Sequence, residues 1–272
     1  MRLVTIRTPG GTRAARVDGD HVIELDAPDV AAVLDAGIAA TAEAGAAPAP
    51  LDGVDLAPVV PRPSKVFCLG LNYRSHIEEM SAELPDHPTL FAKFAAALIG
   101  PRDPIRLPPA SKAVDWEAEL AFVIGRRVRN ASPDEAKAAI GGYTICNDVS
   151  MRDWQWRTTQ WLQGKTWEGS TPVGPFLVTP DEVEDAADLQ LRCEVDGEMV
   201  QEARTSDLLF KPADIVSYIS TIVTLEPGDL ISTGTPGGVG AGRQPPQFLR
   251  PGNVVRTSIE GLGELVNECV PA

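Results

Sequence analysis

Basic residues are scarce: 24 Lys and Arg against 38 Asp and Glu leave a formal net charge of −14 over 272 residues. Nucleic-acid binding draws on basic patches that displace counterions, so this deficit argues against DNA or RNA as a partner. Cysteine is sparse too. Cys68, Cys146, Cys193 and Cys269 are widely separated and form no CxxC pair, which argues against thiolate zinc sites and dithiol redox chemistry. Each sits among apolar or strand-like neighbours and reads as a reduced core thiol. The longest apolar runs, such as 94–100, fall far short of the ~20 residues a membrane helix needs. The N-terminus, MRLVTIRTPGGTR, lacks the apolar stretch of a secretion signal. The expectation is a cytoplasmic protein that contacts no membrane. Histidine is rarer still, with three in the chain.

What remains is globular in composition, 43% hydrophobic and 23% charged. A chain of this length can bury about three quarters of its unfolded surface. Residues 1–25 alternate as short strands separated by Gly-Gly at 10–11 and Asp-Gly-Asp at 18–20. A short helix is expected over 29–37, with Val30, Val33 and Leu34 on one face and Gly37 ending it. The Ala- and Pro-rich stretch 44–63 suits a linker. These features predict a small N-terminal α+β domain over 1–60 and a main domain over 61–272. In the main domain, strands are expected at 66–71, 114–124, 142–149, 189–195, 229–233 and 254–259. Asp-Gly at 196–197 and Pro-Gly at 227–228 and 251–252 mark turns. Regular βαβ alternation is absent, so the fold class is mainly β (α+β) with peripheral helices.

The stretch 114–124, VDWEAELAFVI, carries the most chemistry. Its even positions are all apolar, while the other face runs Asp115, Glu117, Glu119 and then Ala121 and Val123. A solvent face would stay polar to its end, so both faces read as covered. Glu117 and Glu119 then point the same way into a partly enclosed space, where like charges repel unless a cation or proton lies between them. Asp148 ends the apolar run 143–147 and adds a third carboxylate. Three such acids, with no Cys or His beside the glutamates, form a hard oxygen set for Mg²⁺ or Mn²⁺ rather than Zn²⁺; Ca²⁺ fits as well.

Two further segments look chemical. In NYRSHIEEM, Ser75 and Glu78 have capping-box spacing. Glu79 follows His76 by three residues, placing a carboxylate where it can orient an imidazole base. A helix is expected from Ser150 to Gly164, with Arg152, Gln155 and Thr159 on one face and Lys165 on a solvated loop after it. The glycine-rich run at 231–240, leaving a strand, lacks the spacing of a P-loop or dinucleotide fingerprint, and instead suits a loop whose backbone closely approaches a ligand.

Taken in order, GLNYRSHIEEM, DWEAELAFVIGR, GYTICNDVSMRDWQ, GKTWEGSTPVGP and PGDLISTGTPGGVG resemble the fumarylacetoacetate hydrolase family across residues 64–270. The resemblance implies a distorted β-roll catalytic domain, a homodimer, and a divalent metal on Glu117, Glu119 and Asp148. It implies a water-activating dyad of His76 and Glu79, a catalytic Lys165, and substrate contacts from Gln155, Thr235, Gly234 and Arg152. Two departures stand out: Trp167 and Glu168 replace a frequent Phe and Asp, and Leu71 replaces an arginine often found before Asn-Tyr. The activity implied is metal-dependent hydrolysis of a carbon–carbon bond in a β-diketo acid such as an acylpyruvate. The alternatives are oxaloacetate decarboxylation, isomerisation of an unsaturated 2-oxo acid of the 2-hydroxyhepta-2,4-diene-1,7-dioate type, or a non-catalytic metal-stabilised binding protein.

Overall fold

The computed structural model describes residues 1–40, 43–79 and 83–272, without the side chains of Ala40, His76, Glu78 and Glu79. Two sheets dominate. The larger runs, strand by strand, from Ala49–Pro50 through His21–Glu24, Gly11–Asp18 and Arg2–Thr8 to Thr171–Val178. It continues through Ile140–Asn147, Ala118–Ile124, Leu230–Ser232 and Val66–Gly70 to Thr89–Lys93. The N-terminal strands join it where Arg2 and Leu3 pair antiparallel with Val178 and Leu177. The second sheet has five strands, ordered Glu198–Arg204, Gln190–Val195, Val254–Ile259, Gly263–Pro271 and Ile105–Leu107.

The central strand Ala118–Ile124 explains how the sheets pack. Every one of its residues is buried, as an apolar run on both faces requires. Leu120, Phe122 and Ile124 share a core with Leu191, Val255, Ile259 and Leu265 of the five-stranded sheet. Ala121 and Val123 point the other way, into a second core with Val30, Val33, Leu34 and Cys68. Truncating Phe122 to alanine would cost about 3–5 kcal/mol at such a site. All four cysteines are buried and unpaired, as their apolar settings predict. Where the strand ends, Gly125 and Gly141 touch backbone to backbone; a Cβ on Gly125 would stand 2.5 Å from the Gly141 Cα.

The short N-terminal helix forms over Val30–Ala36, capped by the Asp29 side chain, which accepts from the Ala32 N–H at 2.9 Å. Three local expectations are corrected. The strand expected over 114–124 divides into Val114–Asp115 and Ala118–Ile124. At the break, side chains replace ladder partners: Asn147 Oδ1 accepts from the Glu117 N–H at 3.0 Å, and Gln201 Oε1 from the Ala118 N–H at 2.9 Å.

The helix expected from Ser150 to Gly164 is instead two short ones, Arg152–Gln155 and Leu162–Lys165. Ser150–Met151 is used as a strand against Val114–Asp115, and the Ser150 hydroxyl turns back to the Asp148 carbonyl at 2.7 Å. Gly164 marks close packing rather than a helix stop, since a Cβ there would lie 2.5 Å from Gln155 backbone and side chain. Thr159 is exposed and does not join Arg152 and Gln155.

Ser75 lies inside the helix Arg74–Glu79 instead of capping it; its N–H and hydroxyl both donate to Asp207 Oδ2, at 3.2 and 2.5 Å. No described helix is long and apolar enough to cross a membrane.

Candidate active site

Glu119 projects from the central strand, opposite Cys146 of Ile140–Asn147. Asp148 follows that neighbouring strand directly, and its N–H donates to the Glu117 carbonyl at 2.8 Å. Asn147 ties the corner: it accepts from Glu117 and donates to Thr257 Oγ1 at 2.9 Å. Glu117, Glu119 and Asp148 therefore converge, each offering an oxygen within 4.8 Å of the others, and all three are buried.

Three cations are drawn to this charge. Lys165 Nζ lies 2.5 Å from Glu117 Oε2 and 2.8 Å from Asp148 Oδ2. Lys93 Nζ lies 2.5 Å from Asp148 Oδ1. Arg152 reaches Glu117 Oε1 with Nη1 at 2.6 Å and Asp115 Oδ2 with Nε at 2.8 Å. The expected solvated loop position of Lys165 is thus overturned: the side chain is 2% exposed, because two buried carboxylates offset the cost of removing an ammonium from water. Burial alone would lower the Lys165 pKa, but Asp148 and Glu117 outweigh it and raise it. Burial would likewise raise Asp148, yet Lys165 and Lys93 hold that carboxyl down at about 2.

Glu119 has the opposite balance. Burial, then Asp148 and Glu117, push its carboxyl well above the usual range. Its Oε2 accepts from the Ser232 hydroxyl and from the Gly234 N–H, the latter at 2.9 Å. Its Oε1 is buried with no hydrogen-bond partner among the described residues. An orphaned carboxylate oxygen beside two further acids fits a hard divalent cation, for which Glu117, Glu119 and Asp148 supply oxygen donors.

A cavity of about 550 Å³ opens beside this cluster. Glu117, Glu119, Arg152, Gln155, Lys165 and Thr235 all line it, so the structure gathers most of the residues singled out in the sequence. Thr235 is held by its hydroxyl, which donates to the Ala118 carbonyl at 3.0 Å and accepts from Gln201 Nε2 at 2.8 Å. Gly234 does not line the cavity; with φ +94 it turns its N–H onto Glu119, and so positions an acid rather than touching a ligand. The side chains of His76 and Glu79 lie outside the described residues.

Four residues without an assigned role in the sequence reading belong to this site. Asp115 is fully buried; it accepts from Arg152 and from the N–H groups of Trp116, Gly240 and Ala241. It shares the sequence face of the two glutamates, which was its one available signal. Lys93, Ser232 and Arg243 stand on other strands and loops, and nothing local marks them.

The family model described as "Fumarylacetoacetate (FAA) hydrolase C-terminal" matches residues 65–270. The chain is 47% identical over 216 residues to "Oxaloacetate tautomerase Fahd2a, mitochondrial" of Rattus norvegicus, covering 79% of this chain and 69% of that protein. It is 47% identical over 217 residues to "Oxaloacetate tautomerase FAHD2A, mitochondrial" of Homo sapiens, with the same coverage. Among solved structures it resembles a putative HpcE protein from Mycobacterium smegmatis, with a TM-score of 0.89 at 39% identity over the whole of both chains. It also resembles a fumarylacetoacetate hydrolase from Exiguobacterium antarcticum, with a TM-score of 0.87 at 32% identity, again over both whole chains. The converging acids, the order of the motifs and these likenesses agree: the chain belongs to the fumarylacetoacetate hydrolase family of enzymes.

Proposed function

We propose that this chain interconverts the enol and keto forms of a short 2-oxo acid of the oxaloacetate type, with Mg²⁺ or Mn²⁺ held by Glu117, Glu119 and Asp148. The observation that carries this reading is the Lys165 ammonium, buried between Glu117 Oε2 and Asp148 Oδ2 on the cavity wall. Tautomerisation moves one proton between carbon and oxygen and needs no attacking water. Hydrolysis, the leading expectation from the sequence, needs in addition an attacking water and a base to activate it. The tautomerase names of relatives 47% identical to this chain support the same choice.

When bound, a divalent cation supplies Lewis acidity and a fixed positive charge for the negative charge that develops during enolisation. Lys165 holds and moves the proton at Nζ: it delivers a proton to C3 of the enol and is recharged by the proton that the enol hydroxyl releases, the two transfers running backwards in the reverse direction. Arg152 cannot take that part, because a guanidinium does not give up its proton. It is fixed instead as a donor by Asp115 and Glu117. Gln155 accepts from Arg152 with its Oε1 at 2.9 Å, and its amide NH₂, without a partner among the described residues, remains to orient substrate. Leu69, Phe91 and Trp161 add apolar surface to the lining, the Phe91 ring centre 4.9 Å from Lys165 Nζ, and a less polar surround strengthens these charges.

The test follows the ultraviolet absorbance of enol-oxaloacetate with purified protein and Mg²⁺ or Mn²⁺. Decay well above the buffer rate is expected. Decay at the buffer rate with either ion, together with cleavage of acylpyruvates, would restore the hydrolytic reading.

A further inference from the structure

Among the described residues, three cationic side chains line the cavity, Arg152, Lys165 and Arg243. The first two are held against the acidic cluster: Arg152 pairs with Asp115 and Glu117, its Nη2 left without a hydrogen-bond partner among the described residues, and Lys165 pairs with Glu117 and Asp148. Arg243 is held differently. Its Nη1 is shared between Glu198 Oε1 at 3.1 Å and Gln247 Oε1 at 3.0 Å, and its Nη2 donates to the Val200 carbonyl at 3.3 Å. The Glu198 side chain is 68% exposed, so water and salt weaken that pair. Arg243 Nε is buried and has no hydrogen-bond partner among the described residues. A guanidinium N–H in that state gains from any acceptor a ligand brings.

The backbone that carries Arg243 is pinned. The Gly240 and Ala241 N–H groups donate to Asp115 at 2.7 and 3.0 Å, and the Gln247 N–H donates to the Gly240 carbonyl at 3.0 Å. The Arg243 guanidinium carbon stands 5.7 Å from the centre of the Trp116 ring, which is itself buried. Asp115 therefore locks the loop behind Arg243 and the Arg152 side chain to one point.

We infer that Arg243 reads the second carboxylate of a dicarboxylic 2-oxo acid, and so sets a preference for dicarboxylates over monocarboxylates with the same head group. The inference rests on the 2-oxo acid reading above. The acidic cluster and its cation serve the 2-oxo acid end. A carboxylate at the other end meets, in Leu69, Leu71, Phe91 and Trp161, side chains that offer it no countercharge. Arg243 supplies the missing charge, and its planar fork matches a carboxylate with two parallel hydrogen bonds.

L-malate and L-lactate share a 2-hydroxy acid head and differ in the terminal carboxylate, and both are titrated calorimetrically into the Mg²⁺-loaded protein. The wild type is expected to bind malate about tenfold or more tightly than lactate. Arg243→Gln is expected to remove that preference, and Arg243→Lys to keep part of it, since the charge persists without the fork. The ratio of the two affinities cancels any general loss of binding competence in a variant. A wild type without the preference, binding of neither acid, or Arg243→Gln retaining the preference would overturn the inference. A protein that prefers malate through Arg243 but leaves enol-oxaloacetate untouched sustains the role of Arg243 and removes the tautomerase reading.

Discussion

Asp115 Oδ2 and Arg152 Nε meet at 2.8 Å in an ion pair whose carboxylate is fully buried and whose guanidinium side chain is 7% exposed. The pair joins a strand end to the first residue of a helix, and Asp115 also holds the glycine-rich loop through Gly240 and Ala241. Removing one partner of such a pair leaves an uncompensated buried charge. Asp115→Ala is therefore expected to destabilise the protein by about 3–5 kcal/mol, read as a shifted midpoint in urea at unchanged slope. A loss below about 1 kcal/mol would show that the pair has little structural weight.

Lys165→Met is expected to lower kcat for enol-oxaloacetate by about 10²–10⁴-fold, the usual worth of a positioned acid or base. Lys165→Arg should not restore it, because arginine keeps the charge but does not release the proton. Full rescue by arginine would mean that Lys165 serves only as a charge.

The pH response of the cation-free protein has two components of opposite sign. Glu119, raised above its ordinary 4.5, binds more protons folded than unfolded, so its contribution is lost as pH climbs above that value. Asp148, held at about 2 against an ordinary 3.8, contributes stability above 3.8 that disappears as pH falls towards 2. In chelator-treated protein, Glu119→Gln should gain in stability on wild type as pH rises above 4.5. Mn²⁺ should reverse that order, because the ion binds ionised carboxylates, and at about a hundred times its Kd it would add about 2.7 kcal/mol. Melting curves with EDTA and with Mn²⁺ measure both effects; a gap that does not change with pH would contradict the Glu119 assignment.

His76→Ala separates the two chemistries. Enol–keto interconversion is expected to continue within about tenfold of wild type, whereas any acylpyruvate cleavage should fall by about 10²-fold or more. Loss of both activities to the same extent would place His76 in the proton transfer itself.

The strand pattern was readable because alternation and turn residues are local. The run of buried side chains over Ala118–Ile124, the Asp29-capped helix and the turn at 196–197 all follow from neighbours in sequence. The limit of that reading shows at 150–165. Helical spacing and a terminal glycine suggest one helix, but the backbone of Ser150 and Met151 is claimed by Val114 and Asp115, and Gly164 is small because Gln155 lies against it.

The amino-acid order on its own determined the family, the three acids and the residue types around them, since five motifs in sequence suffice for that. Tertiary structure alone decided which charges share a dielectric. Lys93, 55 residues from Asp148, and Ser232, 113 residues from Glu119, reach the site only once the strands are paired. Lys165 changes from an ordinary surface lysine to a buried ammonium for the same reason: burial and the charges that offset it depend on long-range contacts, and no local spacing records them.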